Sequence, residues 1–417
     1  MTKNDVVILP NELKDELQKI ALGACFLGSG GGGGLETSFK FIDDYCNGKI
    51  TDSLKITDLK YANAGESGIV VAYMGAPQKA DSIKCPDAIC EGIEKFKKCK
   101  GIKDINYIIP VEIGPGSTIA ACLTAHKKGK RVLDVDGAGR AVPTLDLITY
   151  GMSKWTSVNP TILCSENHHQ VTLEISDEKD DVSENASTME SLARPVLCLP
   201  LFDQKAGLVM WYFPDVTKLR EPNACVPGTL TFCRELGGAI QSMQKQNVGF
   251  PEIENLFSKE LFKSQSIYPE PVIKEICRGT LDSATTSTAG GFDGGVITIK
   301  GDSTIKDYSG HQYTIIFQNE SLILWDSKSA EPLVMSPNLI SYLIAYEKYV
   351  FTNGDIMDGD ALKKELKGAT IAVYSIAAPN ALRTSKMLCN TMKVLNTLGY
   401  YGNYDPFKNP FNEPLEK

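Results

Sequence analysis

Histidine is scarce in this chain: four residues in 417, at positions 126, 168, 169 and 311. Chemistry that needs a histidine cluster therefore has few places to stand. The twelve cysteines contain no pair at the C-x-x-C spacing of a zinc knuckle or redox motif. No G-x-S-x-G turn is present, so the nucleophile elbow of the serine hydrolases is excluded. No apolar run approaches the roughly 18 residues that span a bilayer, and the first residues, "MTKNDVVILPNELKDEL", lack the apolar region of a signal peptide. Basic clusters are missing as well. With a formal net charge of −8, the chain offers no face for a phosphate backbone. There is no internal repeat. Several cysteines sit in apolar settings ("ALGACF", "IAACLTA", "RPVLCLP"), where they behave as small hydrophobes and suit a reducing compartment. A soluble cytoplasmic protein with neither membrane nor nucleic-acid partners is expected.

Glycine, by contrast, is concentrated. "CFLGSGGGGGLETSF", residues 25–39, holds six glycines in seven positions. Apolar residues at 13, 17, 20, 21, 24 and 25 predict a helix before it, with Asn11 as N-cap. Leu35, Phe39, Ile42 and Cys46 predict a helix after it. Gly28 to Gly33 match G-x-G-x-x-G, but a dinucleotide site needs a strand in front, and no G-K-[ST] follows as in a Walker loop. The run reads as a short helix–helix loop. Its bare backbone N–H groups, around Gly30, Gly31, Gly32 and Gly33, would form a concave anion-accepting surface.

Beyond residue 68 the texture becomes that of an α/β protein. "GIVVAYMGAP" predicts a buried strand, and "INYIIPVEIGPGSTIAACLTAHKKGKRVLDVDGAGRAVP" predicts strand, turn, helix and strand, with Ser117 as N-cap and Gly129 as stop. Residues 177–190 are acidic without apolar period and read as an exposed loop; "GTLTFCRELGGAIQSMQ" reads as a helix. Short strands follow ("GGVITIKG", "QYTIIFQNE", "SLILWD", "GATIAVYSI"), then a terminal helix. The expected organisation is an N-terminal α/β domain with a largely parallel sheet and flanking helices over 1–176. A hinge and connecting helical segment over 177–280 and a β-rich domain over 281–417 complete it.

Three predicted strands end in small or acidic residues: "MGAP", "VEIGPGS" and "LDVDGAGR". Ligands of parallel sheets bind beyond such carboxyl ends. Glu112, Asp134 and Asp136 are thus the candidate acid–base groups, with Arg140 and the N–H groups of Gly116 and Ser117 to hold charge. Gly75, Gly114, Gly137 and Gly139 would let the backbone come close to a ligand. Asp134 and Asp136 are assigned to opposite strand faces, so Asp136 at the turn is the first choice of base, with Glu112 as the alternative. Cys164, His168 and His169 in "CSENHH" are the residues that would hold a divalent metal such as zinc, but their spacing matches no standard pattern, and packing or surface roles are expected for them. Cys25 and Cys233 have no identifiable histidine partner.

The segments "IALGACFLGSGGGG", "MGAP", "PVEIGPGST", "VLDVDGAGRAVP", "FCRELGGAI", "IIFQNESL" and "GYYGNYDPF" occur in the order seen in the DUF917 family, named after S-methyl thiohydantoin desulfurase. The resemblance runs from about residue 20 to 406. It implies a two-domain α/β protein that hydrolyses an S-methylated thiohydantoin to a hydantoin with loss of methanethiol. It also implies association with hydantoinase- or oxoprolinase-related enzymes, as a homo-oligomer or with such a partner. The chain departs from the family pattern at Thr144, where relatives usually carry an acidic residue, and at Asn338, where many read "PDLI". Two rival readings stand beside this one: a nucleotide-dependent enzyme using the glycine loop for phosphates, and a non-catalytic subunit or ligand sensor of a hydantoinase-like system.

Overall fold

The computed structural model describes residues 5–75, 85–176, 182–246, 273–347 and 349–404. Its first sheet is built from β1 (Asp5–Ile8), β2 (Leu54–Asp58), β3 (Gly68–Gly75), β4 (Tyr107–Pro110), β5 (Arg131–Asp136), β6 (Thr161–Cys164), β7 (Gln170–Leu173) and β8 (Lys205–Phe213). The spatial order is β1-β2-β5-β4-β3-β8-β6-β7, and β9 (Val226–Pro227) pairs with β5. The four central strands β2, β5, β4 and β3 are parallel; the strands on either side are antiparallel. Both faces are covered. Along β3, Ile69 and Val71 enter one apolar core while Val70 and Ala72 enter another. Alternate residues of a strand face opposite sides, so a sheet buried twice reads as a continuous apolar run. Each fully buried Ile or Val contributes about 1.5–3 kcal/mol by leaving water.

One face carries α1 (Leu13–Leu27), α2 (Leu35–Cys46), α3 (Asp87–Lys100), α4 (Pro115–Lys127) and α6 (Thr229–Gln246), while α5 (Val182–Leu197) packs on the other. Helices α1 and α6 cross in backbone contact: a Cβ on Gly237 would lie 1.7 Å from the Lys19 carbonyl oxygen. This close crossing accounts for the second glycine-bearing segment, "FCRELGGAI".

The second sheet is wholly antiparallel. It comprises β10 (Ile273–Ala289), β11 (Phe292–Gly301), β12 (Gln312–Gln318), β13 (Glu320–Asp326), β14 (Val334–Met335), β15 (Leu339–Ile344), β16 (Met357–Asp358), β17 (Ala361–Leu362) and β18 (Thr370–Ile376). Helix α7 (Ser385–Thr397) follows it. The expected α/β layer and β-rich C-terminal part are both present.

Four local expectations are corrected. Helix α1 begins after Glu12, not Asn11. Helix α4 begins at Pro115 with Gly114 in the cap position, so Ser117 lies inside the first turn; proline is well suited there because its missing N–H needs no partner. Residues 182–190 are helical rather than loop: Ala186, Met189, Ala193 and Leu197 are buried at helical spacing, an apolar stripe of mostly small residues among polar ones. Residues 177–181 of that stretch, and Ala76 and Pro77 of "MGAP", lie outside the described residues. Finally, Asp134 and Asp136 share a strand face, since residues two apart along a strand point the same way. Both carboxylates turn toward the start of α6 or the turn beside it.

Candidate active site

Beyond the carboxyl ends of β3 and β4 lies a cavity of about 120 Å³. Glycines 32–34 and α2 (Thr37, Phe41) form one wall, and residues 142–148 with α5 form another. The turn entering β13, Asn319–Glu320, brings the second sheet to the same space. The cavity is thus assembled from both sheets.

The glycine run is fastened at nearly every residue. Ser321 N–H donates to the Ser29 carbonyl (2.7 Å), Asn353 N–H to the Gly30 carbonyl (2.7 Å), and Ile340 N–H to Ser29 Oγ (2.9 Å). Helix α2 lacks a side chain at its Gly34 cap, and Asp355 takes over from the second sheet's side by accepting from Leu35 N–H (3.0 Å). The requirement for glycine is steric. A Cβ on Gly31 would lie 2.0 Å from Glu320 Oε1, and one on Gly32, where φ is +75°, would lie 2.4 Å from Gly114 Cα.

That close approach also disposes of the N–H groups at the start of α4. Gly116 and Ser117 both donate to the Gly32 carbonyl oxygen, at 2.9 and 3.2 Å. The helix N-terminus therefore anchors the loop rather than offering these two donors to a ligand. Gly30 and Gly31 face a small separate hollow with Asn353, while Gly32, Gly33, Gly75, Gly116 and Ser117 line the main cavity. Gly114 packs on Gly32, Gly137 against Ile148, and Gly139 against Pro379.

Glu112 sits two residues past β4, deeply embedded yet with part of its surface open to the cavity. Its carboxyl accepts from Val142 N–H (2.8 Å) and Ser117 Oγ (3.1 Å). Burial pushes its pKa up to about 7, against these two hydrogen bonds. Glu320, which shares the cavity with Glu112 and Glu190, is 2 % exposed. Burial, reinforced by the nearby charge of Glu112, raises its pKa well above the usual carboxylate range. Its own backbone N–H and that of Gly32 act against this rise, while among the described residues its Oε2 has no hydrogen-bond partner.

The other three charged candidates do not line the cavity. Asp134 accepts from Leu230 N–H (2.8 Å), Thr231 N–H (3.2 Å) and the Thr231 hydroxyl (2.5 Å), capping α6. Asp136 accepts from Ala138 N–H (2.8 Å) and Gly139 N–H (2.7 Å) within its own turn; burial pushes it up to about 7. Arg140, fully buried, ties the sheets together. Its Nη1 donates to the Pro337 and Asn338 carbonyls (both 2.9 Å), its Nη2 to the Ser321 carbonyl (3.1 Å) and its Nε to the Ala141 carbonyl (2.9 Å). Burial lowers its pKa to about 10, opposed by Glu320 and Glu112, so it remains a cation behind these two carboxyls. Of the two departures from the family pattern, Thr144 lines the cavity, whereas Asn338 accepts the Ala378 N–H through Oδ1 (3.0 Å) in the framework.

No histidine lines the cavity. Cys164 is buried under Gly92, whereas His168 and His169 stand on the exposed β6–β7 turn, where His168 Nδ1 meets Glu91 at 2.6 Å. Among the described residues no group of three His, Cys, Asp or Glu is placed to hold a metal ion. Cys25 and Cys233 are buried away from the cavity, and burial raises the Cys233 thiol well above its usual range.

Sequence reading missed Glu320, Lys205 and the Glu190–Arg194 pair, all in the cavity wall. Arg194 Nη2 meets Glu190 at 2.6 Å, and Glu190 accepts the Leu145 N–H at 2.8 Å. Their i,i+4 spacing is the available signal, hidden because the acidic stretch before Arg194 reads as a loop. Glu320 gave a weaker one: an acidic residue heading an apolar strand, in "NESLILWD".

Two family models cover most of the chain: the S-Me-THD-like N-terminal domain matches residues 15–175 and the S-Me-THD-like C-terminal domain residues 184–395. The chain belongs to the S-Me-THD-like family. Membership in the S-Me-THD-like family points to a desulfurase- or hydrolase-like role. A crystal structure of a protein from Chromobacterium violaceum is similar throughout, with a TM-score of 0.77 and 28% identity over 96% of this chain and 99% of that one. No curated protein matches the chain. No helix among the described residues is long and apolar enough to cross a membrane.

Proposed function

We propose that the cavity binds a small five-membered cyclic amide of the S-methyl thiohydantoin type and hydrolyses it to the hydantoin, releasing methanethiol, with Glu112 as general base. The observation that carries this reading is the setting of Glu112: a carboxyl open to a cavity, held by two donors, with a pKa of about 7. A base titrating there is half ionised at neutral pH and still basic enough to take a proton from water. The carbon bearing sulfur is the electrophile. Glu112 removes a proton from the attacking water, and the buried Arg140 cation favours its ionised form. A cavity of about 120 Å³ suits a ring of this size with a modest substituent. Thr144, Lys205 and the 142–148 wall would contact that substituent.

The phosphate-cradle alternative has less support, because the Gly116 and Ser117 N–H groups are already bonded to Gly32. The test is methanethiol release from S-methyl thiohydantoin, followed with a thiol reagent, alongside thermal shift with hydantoin and with ATP. Release together with a hydantoin shift is the expected result. Absence of both, or a shift with ATP alone, would reject the proposal.

A further inference from the structure

The cavity contains a second carboxyl whose setting differs from that of Glu112. Glu320 opens β13 directly after Asn319, which adopts φ +56°, and this turn is pinned by Asp293 N–H donating to Asn319 Oδ1 (2.8 Å) and Asn353 Nδ2 donating to the Asn319 carbonyl (2.9 Å). On the other side the Oε1 end of the side chain is wedged against Gly31, where the Gly32 N–H favours its charge. One oxygen is thereby fixed by the glycine run. The other, Oε2, is buried, lacks a hydrogen-bond partner among the described residues and belongs to a residue lining the cavity. A buried polar atom without a partner is costly unless something else satisfies it. A pinned backbone, a fixed first oxygen and an unsatisfied second one are the marks of a group prepared for a ligand atom.

We propose that Glu320 is a second catalytic carboxyl of this site, donating the hydrogen of Oε2 to the ring C=N nitrogen of the substrate while Glu112 activates water. The inference rests on the reading of the cavity as a site of thiohydantoin hydrolysis. Burial chiefly favours the protonated form of Glu320; of the charged groups around it, Glu112 acts in the same direction and Arg140 opposes it. Tyr73, Lys205 and the Glu190–Arg194 pair are the remaining ionisable side chains of the cavity.

The proton count closes. As water oxygen bonds to the ring carbon, Glu112 takes one water proton and the ring nitrogen takes the proton of Glu320. As the C–S bond breaks, the remaining hydroxyl proton passes to Glu320 while a C=O bond forms. Glu112 then gives its proton to the departing methylthiolate. Both carboxyls end as they began, and the net change is substrate plus water to hydantoin plus methanethiol. The arrangement also gives the glycine run a chemical reason: with any side chain at residue 31, Glu320 could not sit against it.

The experiment compares wild type with Glu320→Gln in methanethiol release across pH, together with infrared difference spectra of hydantoin binding to wild-type protein carrying labelled glutamate. Wild type should rise in rate through about pH 7 and fall at higher pH as Glu320 loses its proton. Glu320→Gln should lose about 100-fold in kcat, keep KM within about threefold and lack the alkaline limb. A variant that keeps the wild-type rate, or keeps the alkaline limb, overturns the proposal. The infrared arm needs no turnover and is repeated on Glu320→Gln, because Glu112 also carries a proton near neutral pH. If wild type releases no methanethiol but hydantoin shifts a protonated glutamate band that Glu320→Gln lacks, the thiohydantoin reading fails while Glu320 stands as a ligand donor in this cavity; a shifted band that the variant keeps overturns the role of Glu320. With neither release nor shift, the role of Glu320 is overturned as well.

Discussion

Two neighbouring strand tips carry similar acids and put them to different use. Glu112, after β4, has two donors and an open side; Asp134 and Asp136, at the end of β5, have their carboxylates turned into backbone N–H groups at the start of α6 and the turn beyond. All three are raised by burial. An elevated pKa therefore does not separate the proposed base from a structural acid in this molecule. Access does. The β4 tip is left open because the glycine loop passes over it without side chains, whereas the β5 tip is closed by α6 and β9.

The sharpest way to break this contrast is by activity. Glu112→Gln should lower methanethiol release by about 100-fold or more, as expected for loss of a general base, while Asp134→Asn and Asp136→Asn stay within about threefold of wild type per folded molecule. A large loss in either aspartate variant, with Glu112→Gln active, would reverse the assignment.

Stability probes the framework behind the tips. Arg140→Ala strips donors from the Ser321, Pro337 and Asn338 carbonyls and leaves the cavity carboxyls without their buried cation. A loss of about 3–5 kcal/mol in denaturant unfolding is expected. Arg140→Lys should recover only part of it, since an ammonium lacks the fork that reaches several carbonyls.

The smallest effect concerns the cost of keeping Glu112 buried. Its folded pKa of about 7 lies above the ordinary 4.5, so the folded state binds the proton more tightly. The penalty is absent below the ordinary value, grows as pH rises and is complete above about 7, amounting to roughly 3 kcal/mol at most. Glu112→Gln mimics the neutral form. Its melting temperature should exceed that of wild type at pH 8, and the gap should shrink at pH 5. A constant gap would show that the glutamate pays no ionisation penalty.

Legibility followed the strength of local pattern. β3, the β4–α4–β5 crossover and α6 were readable because each has an apolar run or stripe bounded by glycine or proline. The long strand β10 was not, since "TLDSATTST" is mostly polar, with only Leu281 and Ala284 apolar. Helix α5 was lost because its buried face relies on Ala186, Met189 and Ala193 among acidic neighbours. At the site, Glu112 and the glycine walls were legible as features of a strand end and a loop. The partners of Arg140 were not legible, because nothing local distinguishes a guanidinium that reaches a ligand from one that reaches carbonyls nearly 200 positions away in the chain.

By itself the sequence determined the layers, the family and the loop that had to be glycine, because periodicity, turn chemistry and absent side chains act over a few residues. Only the tertiary structure decided which acids meet a cavity and which meet a helix end. That choice depends on what packs over each strand tip, and the segments involved, glycine 31 and glutamate 320 among them, are brought together by contacts between the two sheets.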